Sequence, residues 1–327
     1  MGLAGPKQPG QEDGMSVPQV MLFCAILLLA RVMVRKFFLP NDGPTKESWS
    51  NFVVPAEGGV LTNLKKDDEG YIGLLLAKKI KITDDTYIFK FSFPDPEATF
   101  GMPIGNHVRF KATVNGETIT RKYTPISDVL QKSTVDFVIK IYRANVHPKF
   151  PAGGAMTQHL ESLKVGDKLF MQGPLGKLQY KGWGYFDILR QDFKHQKKQI
   201  GYIAGGTGIT PCYNVLQSAL RHSDKTQHKM IFGNRTVDDI LLKDELNLLQ
   251  QNHPDDFSLH LTVDIKPDAK ANWTQGVGFV TKEMIKEHLP APSNDTIILY
   301  CGPPIFTDLM EKHMEEMGYT ADMMFKF

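Results

Sequence analysis

The stretch from Gly201 to Pro211, GYIAGGTGITP, decides the fold. It opens with an apolar run and closes on a cluster of glycines. The residues that follow, TPCYNVLQSALRH, carry apolar side chains at helical spacing. A strand that ends in glycines and turns into a helix lets a phosphate approach backbone N–H groups at the positive helix end. The dinucleotide fingerprint G-x-G-x-x-G is met only in part, with Gly206 and Gly208 as the first two glycines and Pro211 in place of the third. Proline at the first helical position suits such a turn, because that N–H has no helical partner. A plain strand-to-helix turn is the competing reading, and the surrounding sequence has to choose.

Beyond residue 197 the choice becomes clear. QIGYIAG, HKMIFGN, FSLHLTVD and DTIILYCG read as strands. Helical stretches such as DDILLKDELNLLQQ alternate with them. That order predicts a parallel sheet with crossover helices, whose ligands lie at the carboxyl ends of the strands. The loop Gly205-Gly206-Thr207-Gly208 with Thr210-Pro211 falls at one such end, and Cys301-Gly302-Pro303-Pro304 at another. Gly-Pro-Pro alone would explain a strand stop, but its placement lets Cys301 face the loop at 205–211 and line a nicotinamide pocket. Asp264 ends FSLHLTVD. A carboxylate there accepts the ribose hydroxyls of NAD and repels a 2′-phosphate, so NADH is expected over NADPH; a solvated strand end is the bland alternative.

Upstream, from about residue 71 to 176, the period changes to two. Tyr87, Phe89, Phe91 and Phe93 alternate with polar residues, as do Val135, Phe137, Ile139 and Ile141, and VNGET supplies an Asn-Gly hairpin turn. Short strands with turn signals predict a small antiparallel β barrel. Within it, RKYTPIS (121–127) offers the Arg121 guanidinium for a phosphate, a Tyr123 ring for stacking and a Thr124 hydroxyl, with Lys122 between them; an edge strand ended by Pro125 is the plain reading. HPKFPAGGAMTQHL (147–160) places two glycines before a helix whose Met156, Leu160 and Leu163 keep helical spacing, a second phosphate-accepting start. Two such sites on two domains would hold two nucleotides end to end.

The whole chain sets the bounds. Its 327 residues suffice for two cores, and a net charge of +2 makes no case for nucleic acid, which is not expected as a partner. Cys24, Cys212 and Cys301 cannot supply a four-thiolate cluster or a disulfide framework, and no metal site is expected. Residues 1–16 read as disordered. Residues 17–38 hold an apolar core from Val20 to Ala30, interrupted at Arg31, followed by Arg35 and Lys36 and preceded by Glu12 and Asp13. That pattern predicts an N-terminal transmembrane anchor with the rest of the chain in the cytosol, rather than a signal peptide or a core helix. Gly2 lacks the Ser/Thr that myristoylation requires, since Pro6 occupies that position. Residues 39–70 have linker composition.

In this order, Arg121-x-Tyr123-Thr124-Pro125-x-Ser127, Gly153-Gly154-x-Met156-Thr157, Gly205 to Pro211 and Cys301-Gly302-Pro303-Pro304 resemble the ferredoxin–NADP reductase superfamily, most closely its NADH–cytochrome b5 reductase family. The resemblance covers about residues 72–327. It implies an FAD-binding barrel (71–176), a connection (177–196) and an NAD-binding α/β domain (197–327). It further implies that Arg121 binds the FAD pyrophosphate, that Tyr123 packs on the flavin–ribityl region and that Thr124 sits near the reactive flavin nitrogen. Val138 and Lys140 match positions that line the flavin, and Gly154, Met156 and Thr157 match those that hold the pyrophosphate. Ala155 stands where such reductases commonly carry Lys. His107, in GNHVRF, matches a histidine near the flavin, with a structural role as the alternative. FAD and NADH are the implied cofactors. Cytochrome b5 or a similar acidic haem protein is the implied partner, met by lysines such as Lys149, Lys164 and Lys177, and the endoplasmic reticulum or mitochondrial outer membrane is the expected location. A quinone or another redox protein is the alternative acceptor. The rival of a different class is a membrane-tethered interaction protein that kept the fold without the chemistry.

Overall fold

The segments of period two form one layer. Strands β1 (Ile72–Lys81), β2 (Thr86–Ser92), β3 (His107–Val114), β4 (Glu117–Tyr123), β5 (Thr134–Lys140) and β6 (Lys168–Leu175) form a six-stranded sheet in the order β4-β3-β6-β1-β2-β5. Every pairing in it is antiparallel. In this computed structural model, residues 59–146, 151–189, 196–222, 224–268 and 273–327 are described. Three strands separate β3 from β5, about 19 Å on a flat sheet at the usual strand spacing. The rings of Phe110 on β3 and Phe137 on β5 nevertheless lie 4.9 Å apart, edge to face. Only a sheet curled on itself brings them together. The barrel expected from the period-two pattern is therefore present, its interior filled by Phe89, Phe91, Phe110, Phe137, Leu74 and Met171.

The seam between β4 and β5 is closed by the segment that leaves β4. Ile126 N–H donates to the Asp136 carbonyl at 2.9 Å, and Asp136 N–H donates to Ser127 Oγ at 3.1 Å. Helix α1 (Val60–Asn63) packs Val60 and Leu61 into the same interior. The stretch read as linker to residue 70 thus already belongs to the barrel from Gly59 onward: Gly59 lies so close to Gly101 that a Cβ on it would fall 2.3 Å from the Gly101 Cα. Helix α2 (Ala155–Ser162) covers the barrel through Met156 and Leu160 and packs on β3 and β4.

The second layer system begins after a hairpin, β7 (Leu178–Gly182) with β8 (Tyr185–Ile188). Its Leu178, Tyr180, Phe186 and Ile188 are buried with the next domain, so this hairpin within the expected connection is a packed element. Strands β9 (Gln199–Gly205), β10 (Gln227–Asn234), β11 (Phe257–Val263), β12 (Gly276–Val277), β13 (Thr296–Cys301) and β14 (Met324–Lys326) form an all-parallel sheet in the order β12-β11-β10-β9-β13-β14. Helices α3 (Ile209–Arg221), α4 (Lys243–Asn252), α5 (Lys282–His288) and α6 (Pro304–Glu316) connect them. Successive strands run outward from β9 on one side and then return to β13 on the other. The order reverses at the β9/β13 edge, where doubly wound sheets open their ligand crevice. The expected membrane segment at 17–38 lies outside the described residues, and among those described no helix is long and apolar enough to cross a membrane.

Candidate functional site

The opening loop lies at that crevice. β9 ends at Gly205, a single 3-10 turn spans Gly206–Gly208, and α3 starts at Ile209. Gly206 has φ of 52°, a left-handed conformation that glycine adopts without strain, and nothing lies within 4 Å of where its Cβ would be. Backbone at Gly206 is therefore open to a ligand. Pro211, expected at the first helical position, is the third residue of α3, because the helix starts two residues earlier. The first four N–H groups of a helix lack partners, so the proline is tolerated there for the same reason.

The loop and the Cys301-Gly302-Pro303-Pro304 turn touch. A Cβ on Gly208 would fall 2.2 Å from the Cys301 carbonyl oxygen, and one on Gly302 would lie 3.4 Å from the Gly205 Cα. Phe306, on α6, closes the gap from the other side, against both Gly205 and Gly302. Pro303 precedes α6 with Pro304 as its first residue, and Thr210 Oγ donates to the Thr207 carbonyl at 3.3 Å. Burial pushes the Cys301 thiol up to about 11, against the opposing pull of the Gly302 backbone N–H. At neutral pH Cys301 is thus a protonated, weakly polar wall. Asp264 directly follows β11, is exposed, and donates its backbone N–H to the Asn234 carbonyl at 2.9 Å. Partial desolvation raises its carboxyl above the ordinary range, while Arg235 pulls it down. Phe279, 74% exposed, stands beside this strand end, where Gly278 N–H donates to the Val263 carbonyl.

On the barrel side, Arg121, Lys122 and Tyr123 end β4 and Thr124 follows. Arg121 is exposed and donates to the Thr120 carbonyl at 2.8 Å; it pairs with no carboxylate among the described residues. Tyr123 packs its ring 4.5 Å from Phe110, and burial raises its hydroxyl far above the ordinary value. The register pairs Val108 with Tyr123, which brings His107 to the Thr124 end of the motif. Burial, helped by the cations of Lys122 and Arg109, lowers His107 to about 4, so it is neutral at physiological pH.

Gly153 has φ of 67° and lies against the backbone of Tyr142 and Arg143, where a Cβ would fall 2.4 Å from the Tyr142 carbonyl oxygen. Gly154 donates its N–H to that same carbonyl at 2.7 Å and precedes α2, which starts at Ala155. Thr157 was expected to present its hydroxyl to a phosphate. Instead Thr157 Oγ donates to the Gly154 carbonyl at 3.0 Å and accepts from Tyr142 N–H at 3.1 Å. The hydroxyl's one proton goes to the helix start, so Thr157 shapes the turn that precedes α2. Val138 is buried among side chains shared with the α/β domain. Lys140, expected at the flavin, has its Nζ 2.6 Å from Asp239 and 3.1 Å from Asp85. Burial opposes its charge, but these two carboxylates outweigh it and hold the ammonium above its ordinary range.

That ion pair joins the barrel to the α/β domain, and the sequence reading missed it. It also missed Asn214 on α3, which is fully buried: its Oδ1 accepts from Gly105 N–H at 2.8 Å and its Nδ2 donates to the Pro125 carbonyl at 3.4 Å. Arg221, at the end of the same helix, pairs with Asp128 of the barrel. A buried Asn among apolar neighbours on one helix face was the available signal. Together these bonds tie the α/β domain to the barrel, with α3, the helix that follows the Gly205–Gly208 loop, held at Gly105, Pro125 and Asp128.

A curled antiparallel barrel joined at its seam to a parallel sheet, with a glycine loop and a Cys-Gly-Pro-Pro turn at the switch point, defines an oxidoreductase that uses a flavin and a nicotinamide nucleotide. Known proteins agree. The oxidoreductase FAD-binding domain profile matches residues 73–180 and the oxidoreductase NAD-binding domain profile matches residues 202–312. Human NADH-cytochrome b5 reductase 2 is 42% identical over 268 residues, which are 80% of this chain and 96% of the human protein. The Xenopus tropicalis protein of that name is 44% identical over 253 residues, 75% of this chain and 82% of its own. Among solved structures, the cytochrome b5 reductase domain of Ulva prolifera nitrate reductase superposes with a TM-score of 0.75 at 35% identity, covering 80% of this chain and 99% of that domain. The chain belongs to the NADH–cytochrome b5 reductase family of FAD- and NAD-dependent oxidoreductases.

Proposed function

We propose that this reductase is anchored in a membrane by residues 17–38, faces the cytosol, and passes electrons from NADH through FAD, one at a time, to a separate haem protein, cytochrome b5. The observation that supports the electron path is the junction itself: Asn214, on the helix that follows the Gly205–Gly208 loop, is bonded to Gly105 and Pro125 of the barrel, and Lys140 of the barrel pairs with Asp239 of the α/β domain.

The residues present fit FAD. Arg121 has a guanidinium committed to no carboxylate among the described residues, and the Gly153-Gly154 turn leaves the first N–H groups of α2 for phosphate oxygens. Flavin supplies what nicotinamide cannot, the intake of an electron pair and its release singly. The protein's part is positional. Arg121 and the α2 start would hold the pyrophosphate, with Ala155, Met156 and Thr157 forming the turn. Tyr123 would give an apolar ring face to the flavin, and Thr124 and His107, itself neutral, would line the site beside it. Val138 and the Lys140 stem back the site at the domain junction. Gly205 to Gly208, with Thr207, Thr210 and Pro211, take the NADH pyrophosphate. Cys301, Gly302 and Pro303 wall the nicotinamide, and a neutral thiol there excludes water without competing as a nucleophile. Asp264 accepts the adenosine ribose hydroxyls, and Phe279 offers a flat face to the purine.

A membrane anchor confines reductase and acceptor to one surface and raises their effective concentration. The endoplasmic reticulum and the mitochondrial outer membrane both present a cytosolic face. Exposed Lys164 and Lys177 are suited to an acidic haem protein. The test is NADH-driven reduction of cytochrome b5 on lipid vesicles, with the full chain and with residues 1–38 deleted. Flotation with vesicles only for the full chain, with FAD and ferricyanide reduction kept in both, supports the reading. A truncated protein that still floats overturns the anchor. NADH oxidation that reduces a quinone but not cytochrome b5 overturns the acceptor.

A further inference from the structure

The end of β10 holds a polar side chain that the fold leaves unanswered. Asn234 is the last residue of that strand and only 5% exposed, yet neither its Oδ1 nor its Nδ2 has a hydrogen-bond partner. Buried polar groups are almost always paired, because an orphaned donor or acceptor has given up its bonds to water. A carboxamide left unpaired at both atoms either weakens the fold to no purpose or awaits a ligand.

Its position selects the ligand. Successive side chains of a strand alternate between the two faces of the sheet. Met230 and Phe232 lie in the core that α3 covers, whereas Ile231 lies in the opposite core, so Asn234 falls on the α3 side. In the parallel register Gly233 pairs with Gly205, which sets Asn234 beside Gly206, the open glycine of the loop that leads into α3. On its other flank Asn234 pairs with Val263, and its carbonyl accepts from Asp264 N–H at 2.9 Å. It therefore stands between the phosphate-accepting loop and the acid read as facing the adenosine ribose. A nucleotide laid from one to the other crosses the end of β10, about 5 Å from each neighbouring strand.

We propose that Asn234 binds the dinucleotide between its pyrophosphate and its adenosine ribose, Nδ2–H donating to a phosphate oxygen and Oδ1 accepting from a ribose hydroxyl. A carboxamide suits this place because it carries a donor and an acceptor on one planar end. The contact is remote from the reacting nicotinamide, so it acts equally on the ground state and the transition state. The proposal rests on the reading of Gly205 to Pro211 as the pyrophosphate loop, and the experiment separates the two.

The experiment uses the full-length, FAD-loaded protein. ADP-ribose and adenosine are titrated by calorimetry into wild type, Asn234→Leu and Asn234→Ala. Tm is measured with and without ADP-ribose, and kcat and KM for NADH are measured with ferricyanide as acceptor. Both variants should bind ADP-ribose about tenfold more weakly than wild type, the size of a lost hydrogen bond to a charged group. KM for NADH should rise with kcat nearly unchanged, the mark of lost uniform binding. Leucine matches asparagine in volume and removes both orphaned atoms, so nucleotide-free Asn234→Leu should melt at or above the wild-type Tm. ADP-ribose should raise that Tm less than it raises the wild-type value. A nucleotide-free Tm that falls in both variants while ADP-ribose affinity is kept would make Asn234 a prop of the fold and overturn the inference. Unchanged ADP-ribose affinity in Asn234→Leu would also overturn it and leave the loop reading intact. If wild type binds ADP-ribose no more tightly than adenosine, the loop reading fails and takes this inference with it.

Discussion

Replacing Gly208 with alanine isolates a steric contact from every other effect. Gly208 has φ of −64° and ψ of −7°, a conformation alanine adopts freely, so the change brings no backbone strain of its own. It brings a methyl group. That Cβ would lie 2.2 Å from the Cys301 carbonyl oxygen, 2.4 Å from the Cys301 carbonyl carbon and 2.7 Å from the Gly302 nitrogen. None of these is a side chain that can swing away. Cys301 pairs with Ala204 in the β9–β13 ladder, so relief requires the loop to move off the turn by about 1 Å, against optimal heavy-atom contacts of about 3.5 Å. Overpacking of this kind costs about 1–3 kcal/mol, and rigid backbone on both sides puts this case at the upper end. A misplacement of about 1 Å at a reacting centre can cost about 100-fold in rate. Gly208→Ala should therefore keep its flavin absorbance, lose about 2–3 kcal/mol of stability in denaturant titration, and reduce its flavin with NADH about 100-fold more slowly in anaerobic stopped flow. Gly206→Ala separates strain from clash, since its Cβ meets nothing within 4 Å but its φ is 52°; about 1–2 kcal/mol is expected from the left-handed backbone alone. Wild-type stability and flavin reduction in Gly208→Ala would refute the claim that the two turns touch.

Arg121→Ala should weaken FAD binding by about 1.5–3 kcal/mol, tenfold or more in Kd, and added FAD should restore much of the lost Tm; equal FAD affinity in both proteins would remove the phosphate role. Asn214→Ala strands the Gly105 N–H and frees the Pro125 carbonyl in a buried junction, so about 1–3 kcal/mol of stability should be lost while FAD stays bound; a neutral effect on both stability and NADH-driven flavin reduction would contradict its bridging role. His107 is held neutral in the fold, its pKa down to about 4 from 6.5, so the unfolded chain binds more protons between those values. Stability should accordingly fall as pH drops from about 6.5 toward 4. His107→Gln should remove that part of the acid dependence, and an unchanged pH profile would show that His107 is not buried as a neutral base.

Much of the architecture was legible because its signals are local. Phe89 and Phe91 alternate with polar neighbours, Gly205 to Pro211 sit between a strand and a helix, and Asp264 and Cys301 mark strand ends. What was hidden depends on residues far apart in the chain. The barrel closes through Ile126 and Ser127 meeting Asp136, an arrangement no period reveals. Lys140 reads as a lone cation on a strand until Asp239, 99 residues away, is brought to it. The hairpin at 178–188 is not legible within the expected connection because Gly182 and Gly184, both at positive φ, interrupt the alternation of Leu178, Tyr180, Phe186 and Ile188. The helix expected at DDILLKDELNLLQQ begins late, at Lys243, because Leu242 takes a left-handed conformation with φ of 54°. The strand Met324–Lys326 is too short to register as a pattern, and only pairing with Leu299 and its neighbours makes it one.

In the proposed function electrons move from NADH, through flavin held by the barrel, to a separate haem protein. The direct measurement is a double-mixing stopped-flow experiment on the full chain, first with one equivalent of NADH and then with excess oxidised cytochrome b5. NADH should bleach the flavin absorbance in the first step, and each reduced flavin should then reduce two haems in separable single-electron phases. A protein purified without flavin, or a reduced flavin that is reoxidised by quinone or oxygen while cytochrome b5 stays oxidised, would contradict that electron path.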